Sequence, residues 1–372
     1  MSRLTKAGHI GPPCQGGASM IFGIKDMIAP PRSFSPKLAG IFAALIGANV
    51  AAWVWAIAAF HQYPVLLGTA LLAYSFGLRH AVDADHIAAI DNVTRKLMQR
   101  GQRSDAVGLF FSLGHSTVVV LASLLIALGA GLLSSGWAAW KDAGSLIGTS
   151  VSALFLFVIA IANIVILARV YRTFQRVKAG GRLIENDLDM RIGAGGFLAR
   201  IFKPLFGFIR ASWQMYPLGV LFGLGFDTAT EIGVLGISAA QAAKGLSFLP
   251  LLIFPVLFTA GMALVDTADS VLMTRAYGWA FVKPIRKLYY NLTITAVSIL
   301  VAVLVGSVEA LGLIAGKLAL KGTFWEAVVA LNSQFGTLGY LIITLFVVSW
   351  IVSVLVYRLR GYDRLDLATE TP

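Results

Sequence analysis

Two histidines, three aspartates and an arginine occur within RHAVDADHIAAIDN, which runs from Arg79 to Asn92. This segment directly follows the apolar run PVLLGTALLAYSFGL. An ionised side chain inside a membrane costs at least ~2.5 kcal/mol on insertion scales, so such residues are kept there only for a purpose. Imidazole and carboxylate ligands together suit first-row divalent transition metals. The segment therefore predicts an intramembrane metal-ion site.

Further polar residues occur in three other apolar segments, FSLGHSTVV, LGFDTATEIG and GMALVDTADS. Metal ligands are expected among His80, Asp83, Asp85, His86 and His115. A transport pathway or outer layer is expected from Arg79, Asp227, Thr228, Glu231, Asp266 and Asp269. The acids outnumber the one arginine in these segments, and buried carboxylates need a cation as partner. Asp227 and Glu231, four residues apart, lie on one face of their helix, and Asp266 and Asp269, three residues apart, lie on one face of theirs.

The spacing inside the first motif leaves two arrangements open. On a straight helix, the side-chain direction rotates around the helix axis by about 60° from His80 to Asp83 and again from Asp83 to His86. Asp85 points well away from the helix face that these three residues share. Either the helix is distorted here, or Asp85 is an outer carboxylate that orients a ligating imidazole. Arg79 is predicted to hold an aspartate ionised between metal-loaded states.

The composition places these motifs in a membrane protein. The 372 residues are 58% hydrophobic and 13% charged, against about a quarter charged in soluble domains. The net charge of +12 comes from basic residues between apolar segments, and no nucleic-acid-binding motif is present, so no nucleic-acid partner is expected. The single Cys14 excludes an internal disulfide and a thiolate metal site. Eight spans of roughly 20 residues are predicted, at 38–60, 65–90, 106–130, 146–168, 214–240, 248–272, 288–311 and 335–357.

The basic residues also predict the topology. With the N-terminus inside, 25 of the 30 Lys and Arg residues lie on the cytoplasmic side and four outside, which places both termini in the cytoplasm. We expect a disordered cytoplasmic tail at 1–37, a transmembrane transporter domain at 38–360 with a cytoplasmic loop at about 169–213, and a C-terminal tail at 361–372. The predicted fold class is an all-α integral membrane protein of the inner cell membrane, in contact with the lipid bilayer.

Two pairs of segments indicate an internal repeat. FGLRHAVDADHI at Phe76 resembles FGLGFDTATEI at Phe222, and FSLGHS at Phe111 resembles FTAGMA at Phe258. The offsets nearly agree, while the paired spans run in opposite directions through the membrane. We therefore predict a 3+3 inverted repeat of spans 1–3 and 4–6, with two appended helices; chance similarity between glycine-rich helices is the alternative. Inverted repeats with interrupted helices are typical of secondary transporters.

Other functions compete for the same residues. An intramembrane histidine often serves only as a hydrogen-bond partner, although Ser, Thr or Asn meets that need at lower cost. A metal-dependent intramembrane hydrolase could use the same His/Asp cluster, but no HEXXH motif is present. A proton channel or metal sensor is a third alternative. The absence of a Walker A motif argues against ATP-driven transport.

Taken together, RHAVDADHI, FSLGHSTVV, LGFDTATEI and GMALVDTADS resemble the motifs of the nickel/cobalt permease family. The resemblance covers residues 38–360 and places that family's span-2 motif on His80, Asp85 and His86, with Asp83 inside it, and its span-3 histidine on His115. It implies secondary uptake of Ni²⁺ or Co²⁺ across the cytoplasmic membrane, with the metal as substrate rather than as resident cofactor, and no enzymatic activity. It leaves the choice of metal, the coupling ion and the oligomeric state open.

Overall fold

The structure is a computed structural model that describes residues 35–102, 104–129, 137–178, 209–225, 229–280 and 284–359. Within these residues the chain is helical and contains no strand. The chain divides into two compact units, Met1–Ile41 and Phe42–Pro372. Most of both predicted tails and of the predicted loop at 169–213 lies outside the described residues, so those domain boundaries stay predictions.

Twelve α-helices are described in these ranges, with a short 3₁₀ turn at Ser212–Gln214. They are α1 Pro36–Phe60, α2 Pro64–His80, α3 Ala84–Gln99, α4 Val107–Gly129, α5 Trp137–Lys178, α6 Met215–Gly223, α7 Ala229–Ala243, α8 Phe248–Leu251, α9 Ile253–Ala280, α10 Pro284–Lys317, α11 Thr323–Asn332 and α12 Phe335–Leu359. A polytopic membrane protein is therefore confirmed, because six of the described helices are long and apolar enough to cross a membrane.

The remaining two predicted spans are broken helices. α2 and α3 together form a seventh candidate span, bent by 49°. The predicted span at 214–240 is divided into α6 and α7, and residues 226–228 between them lie outside the described residues. α11 was not predicted, since its ten residues are too few to span a bilayer.

The break between α2 and α3 occurs at residues 81–83 and has no Pro or Gly to cause it. The backbone N–H groups of Val82 and Asp83 bond to the carbonyls of Arg79 and His80, three residues back, at 3.0 and 2.9 Å. Asp83 then takes extended backbone angles (φ −66°, ψ 148°) at the position that precedes α3. Aspartate is favoured there because its side chain caps free N–H groups. Asp83 makes no such cap bond, because its carboxylate faces a histidine instead.

Glycines allow the broken helices to approach their neighbours at backbone distance. A Cβ at Gly77 on α2 would collide with the backbone of Phe258 on α9. A Cβ at Gly114 on α4 would collide with the carbonyl of Tyr216 on α6. Small residues serve this purpose in membrane helices, since close backbones gain van der Waals contact. The first half of span 2 thus packs on span 6, and the first half of span 5 packs on span 3.

This crossed packing is compatible with the predicted repeat, which stays a prediction. Gly114 and Gly261 occupy equivalent positions in FSLGHS and FTAGMA, and each lies against the first half of the broken span from the other repeat. For Gly261 the neighbours are the backbone of Tyr74 and Leu78 on α2, 3.0 and 3.2 Å from where its Cβ would stand. The appended α12 also reaches the break, because a Cβ at Gly339 would collide with the carbonyl of Val82.

Candidate metal site

The break in span 2 positions the first motif. His80 is the last residue of α2, Asp83 precedes α3, and His86 lies in the first turn of α3. All three are almost completely buried. The change in helix direction brings the His80 and His86 rings together, with centroids 4.6 Å apart. Of the two arrangements that the spacing left open, the distorted helix is therefore the one observed.

His115 on α4 completes a cluster of three imidazoles. Its ring centroid lies 4.7 Å from that of His80 and 4.8 Å from that of His86. Each histidine offers one nitrogen within 4.8 Å of the others. Nε2 of His80 and Nε2 of His115 are 2.8 Å apart. Two nitrogens that each lie about 2.1 Å from one metal ion, at right angles, stand about 3.0 Å apart. The observed spacing is therefore close to that of neighbouring ligands on one ion.

Each imidazole has its own carboxylate. His80 Nδ1 lies 2.9 Å from Asp83 Oδ2, and His86 Nδ1 lies 3.3 Å from Asp266 Oδ2. A carboxylate that accepts the Nδ1–H proton leaves Nε2 as the metal-binding nitrogen and fixes the ring orientation. His115 differs, because its Nε2 lies 2.7 Å from Glu231 Oε1. Glu231 Oε1 is also 3.9 Å from His80 Nε2, so one carboxylate oxygen lies near the Nε2 atoms of both rings.

Two nitrogens of this cluster remain without a hydrogen-bond partner among the described residues, Nε2 of His86 and Nδ1 of His115. A buried polar atom without a partner costs about 1–3 kcal/mol, so the arrangement is kept at a cost to stability. For His86 the atom without a partner is Nε2. This nitrogen can bind a metal when Nδ1–H is donated to Asp266. The carboxylates supply negative charge, and a divalent cation would compensate them.

Aromatic rings form part of the wall of the site. Phe111 packs edge-on against His86, with centroids 4.8 Å apart and planes at 84°. Phe258 lies 5.5 Å from the His80 ring. Both phenylalanines are fully buried and begin the motifs FSLGHS and FTAGMA, which the predicted repeat would relate. An apolar wall lowers the local dielectric constant, which strengthens the attraction between an ion and its ligands.

The remaining predicted site residues are less buried or lie outside the described residues. Asp85, in the first turn of α3, and Asp269, one turn after Asp266 on α9, are both partly exposed. Asp227 and Thr228 lie outside the described residues. Sequence reasoning did not single out Thr230, whose hydroxyl lies 3.2 Å from His80 Nδ1; its position beside Glu231 was the available signal.

The predicted ion pair of Arg79 is not observed. Arg79 is exposed, and no carboxylate of the described residues lies within 4.0 Å of its guanidinium. Gly336 on α12 lies beside both groups. A Cβ added at this glycine would stand 3.1 Å from Arg79 Nε and 3.2 Å from Asp83 Oδ1. Asp83 faces His80 in this conformation, and the pairing of Arg79 with an aspartate between metal-loaded states stays a prediction.

A second polar network on α3 was missed. The topology predicted from the sequence places Arg95 in the cytoplasmic loop between spans 2 and 3, and it predicts that Asp91, at the cytoplasmic exit of span 2, meets water. Both are buried, at 1% and 0% exposure. Arg95 donates to Thr295 at 2.7 Å and to Asn92 at 3.0 Å, and Asp91 accepts hydrogen bonds from Tyr277 and Ser298. These expectations were wrong because α3 continues to Gln99 and packs against α9 and α10 along its length.

Fold and site together define an integral membrane protein of the transporter class. Its spans are helical, span 2 is broken at residues 81–83, and that break carries a buried cluster of imidazoles and carboxylates. Discontinuous helices that meet at a central site are the usual architecture of secondary transporters.

The chain belongs to the NicO family, described as high-affinity nickel-transport protein, whose profile matches residues 66–356. It is 61% identical to the high-affinity nickel transport protein of Cupriavidus necator over 327 residues, 88% of this chain and 93% of that protein. It is 53% identical to the hydrogenase nickel incorporation protein HupN of Bradyrhizobium diazoefficiens, over 88% of this chain and 86% of that protein. It is 39% identical to the cobalt transport protein NhlF of Rhodococcus rhodochrous, over 79% of this chain and 84% of that protein. No solved structure matches the chain.

Proposed function

We propose that this chain carries Ni²⁺ or Co²⁺ into the cell by alternating access, and that the cluster of His80, His86, His115 and Glu231 holds the ion on its way. The observation that carries the proposal is the convergence of three buried imidazoles, each with a carboxylate, at the break of one membrane span. Imidazole with carboxylate is a ligand set for borderline divalent metals. The nickel and cobalt transporters among its relatives support the same substrate class.

The hydrogen bond between His80 and His115 indicates how the ion enters. Nε2 of one ring donates a proton to Nε2 of the other across 2.8 Å. A metal that binds both nitrogens must displace that proton, since a ligating nitrogen has no hydrogen. Glu231 Oε1, 2.7 Å from His115 Nε2, is placed to accept it. The cluster is therefore held together by a shared proton until a metal replaces it.

The conformational step is assigned to the two repeats. Spans 2 and 3 supply the three histidines, while spans 5 and 6 supply Glu231 and Asp266. Every bond between an imidazole and either of these two acids therefore crosses from one repeat to the other. Rocking of the repeats would separate these pairs and open the site to one side of the membrane, as in other inverted-repeat transporters.

The membrane potential can drive this movement without ATP. Moving one elementary charge through 100 mV is worth about 2.3 kcal/mol, so a divalent cation gains about 4.6 kcal/mol before any concentration term. The rival proposal, a metal-dependent hydrolase, would need no such movement. No feature of the described residues favours it.

The test is uptake by purified protein in liposomes that contain a trapped metal-sensitive dye and no ATP. An inside-negative potassium diffusion potential should produce Ni²⁺ or Co²⁺ accumulation that increases with the potential. Protein-free liposomes provide the background. Folded, reconstituted protein that accumulates neither metal at any potential would overturn the proposal, and peptide cleavage without accumulation would favour the hydrolase. Competition between the two metals then identifies the preferred substrate.

A further inference from the structure

Two buried hydroxyls follow His115 along α4, in the direction that the predicted topology assigns to the outside of the cell. Ser116 is 2% exposed and Ser123 is fully buried. They are about two helical turns apart, so both hydroxyls lie on one face of α4. At 1.5 Å per residue, Ser123 lies about 12 Å further out than His115. That distance is most of one half of a ~30 Å hydrocarbon core.

Neither hydroxyl has a hydrogen-bond partner among the described residues. A serine or threonine hydroxyl in a helix can donate to the carbonyl four residues back. Ser75 and Ser238 do so at 2.8 and 3.0 Å, and Thr117, beside Ser116, does so at 2.7 Å. Ser116 and Ser123 lack the bond that their own helix offers, although a buried hydroxyl without a partner lowers stability.

Close helix packing does not account for these two serines. Alanine is as small and has no polar atom, so it would allow the same approach between helices without an unpartnered hydroxyl. A third polar atom of α4, Nδ1 of His115, also has no partner among the described residues. The three atoms on one helix therefore indicate a polar partner that the described side chains do not supply.

α7 carries a matching row of polar residues above the metal cluster. Ser238 is fully buried and lies about two turns after Glu231, whose carboxylate contacts His115. Its hydroxyl donates to its own helix, which leaves the oxygen able to accept a hydrogen bond or to bind a cation. Gln241 is 9% exposed and continues the row towards the end of α7.

The two rows lie along the seam between the predicted repeats, since α4 is span 3 and α7 is the second half of span 5. Val119 is one turn from both Ser116 and Ser123, and Val234 is one turn before Ser238. Both valines are fully buried and belong to one apolar cluster. They close the seam above the metal cluster in this conformation, and separation of the repeats would uncover the hydroxyls on both sides.

We propose that the hydroxyls of Ser116, Ser123 and Ser238 line the path by which the metal ion reaches the site from outside. The inference rests on the proposed function and assigns the approach to the cluster. Oxygen ligands can replace part of the hydration shell of an ion, and a path must bind the ion weakly enough to release it. Uncharged hydroxyls meet both conditions. The movement that separates His115 from Glu231 would open the same seam.

The accessibility of single cysteines tests the path. The parent is Cys14→Ser, which removes the sole cysteine, and its uptake is measured first. Ser123→Cys and Ser238→Cys are made separately in this parent and treated in intact cells with a cationic, membrane-impermeant methanethiosulfonate. Both should react at least about tenfold faster than Ser75→Cys, because the reactive thiolate is disfavoured in apolar surroundings. Ser75 is the matched control, since it is exposed on a predicted span and therefore faces lipid.

Ser116→Ala with Ser123→Ala distinguishes a path from a packing role. Loss of two unpartnered hydroxyls should leave the melting temperature unchanged or raise it, whereas the initial rate of Ni²⁺ uptake should fall about tenfold because contacts with a charged ion are lost. Ser75→Ala should change neither quantity. A lower melting temperature with unaltered uptake per folded molecule would assign the serines to packing and overturn the path.

The two assays also separate this inference from the proposed function. Failure of both cysteine positions to react, in a chain that accumulates metal, would overturn the path and leave the proposed function in place. Reaction only with reagent supplied from the cytoplasmic side would likewise overturn it. Reaction from outside at both positions, in a folded chain that accumulates neither metal, would support the path and overturn the proposed function instead.

Discussion

α3 carries two buried polar groups of opposite character, one at each end. At its start, His86 belongs to a cluster of histidines and acids in which two ring nitrogens lack partners among the described residues. Towards its end, Arg95 supplies the cation, and hydroxyls and amides from α9, α10 and α5 surround it and Asp91. We propose that the transported ion completes the first group. In the second group, protein side chains supply partners for Nη1 and Nη2 of Arg95 and for both carboxylate oxygens of Asp91, and so connect α3 to α9 and α10.

This difference predicts that the two groups fail in different ways when they are mutated. Loss of a ligand at the first group should abolish transport and leave the fold intact, because the cluster is already incomplete without metal. Loss of Arg95 should destabilise the fold and affect transport only through the amount of folded protein. Accumulation of metal per folded molecule and thermal stability must therefore be measured on the same preparations.

The largest effect on transport is expected from His86→Ala. It removes the imidazole whose Nε2 has no hydrogen-bond partner among the described residues. Outer partners of metal ligands contribute up to about 100-fold. Loss of a ligand itself should therefore reduce the accumulation of labelled Ni²⁺ per folded molecule by more than about 100-fold. His80→Ala should behave alike. The control is His61→Ala, since His61 is exposed between α1 and α2 and bonds only to a backbone carbonyl in the described structure. Normal accumulation in both site variants would refute the assignment of the site.

Removal of an outer carboxylate should have an intermediate effect. Asp266→Asn keeps the shape of the side chain but no longer attracts the Nδ1–H of His86, so the apparent affinity for Ni²⁺ should fall about 10- to 100-fold. Asp142→Asn, at an exposed position of α5, is the matched control. The concentration dependence of initial uptake measures both. An unchanged affinity would show that Asp266 does not orient His86, while a loss of stability equal to that of the Arg95 variant would assign it to the structural group.

Arg95→Leu should reverse this pattern. Its guanidinium makes charge-assisted hydrogen bonds to Thr295 and Asn92, each worth about 1.5–3 kcal/mol. Its removal also leaves Asp91, one turn earlier, buried without a nearby cation. We expect a clear fall in the melting temperature, with uptake per folded molecule within about threefold of the unchanged chain. The double variant Arg95→Leu with Asp91→Asn should recover part of the stability. Uptake lost at full stability would instead place Arg95 on the ion path.

Arg95 also marks the limit of what the sequence could predict. Hydropathy located six of the eight predicted spans as single apolar helices and a seventh as the bent pair α2 and α3, because apolar length is a local property. The histidines of spans 2 and 3 and the acids of spans 5 and 6 were predicted to meet because ionised groups in a membrane must face one another. Basic residues near a span end are different. A basic side chain that extends to the membrane interface and one that is buried between helices can have the same local sequence. For Arg95, only the packing of α3 distinguishes the two.

The break in span 2 was foreseen only as an alternative. Sharp kinks in helices usually occur at Pro, Gly or Ser pairs, and the residues at 81–83 are Ala, Val and Asp. The irregular spacing of His80, Asp83 and His86 was the sole local signal. Tertiary contacts supply the rest, since Gly339 of α12 approaches the Val82 carbonyl. A residue from 257 positions later in the chain cannot be recognised as a neighbour of the break from local patterns.

The smallest effect is expected from Arg79→Ala, and it refines the comparison between the two groups. Arg79 is exposed and forms no ion pair with the described carboxylates in this conformation, while Gly336 separates it from Asp83 Oδ1. Asp83 and His80 lie on the same broken span, so rocking of the repeats does not by itself separate them. We propose that Asp83 turns from His80 to Arg79 once the metal has left, since a Cβ at Gly336 would stand close to both Arg79 and Asp83. The variant should then lower the maximal uptake rate about two- to fivefold, with an unchanged apparent affinity for metal and unchanged stability, because an exposed ion pair contributes at most about 1 kcal/mol. Arg79→Lys should restore the rate. Full activity in Arg79→Ala would show that no such pair forms at any stage of transport, and a lower affinity would place Arg79 in the metal-loaded state instead.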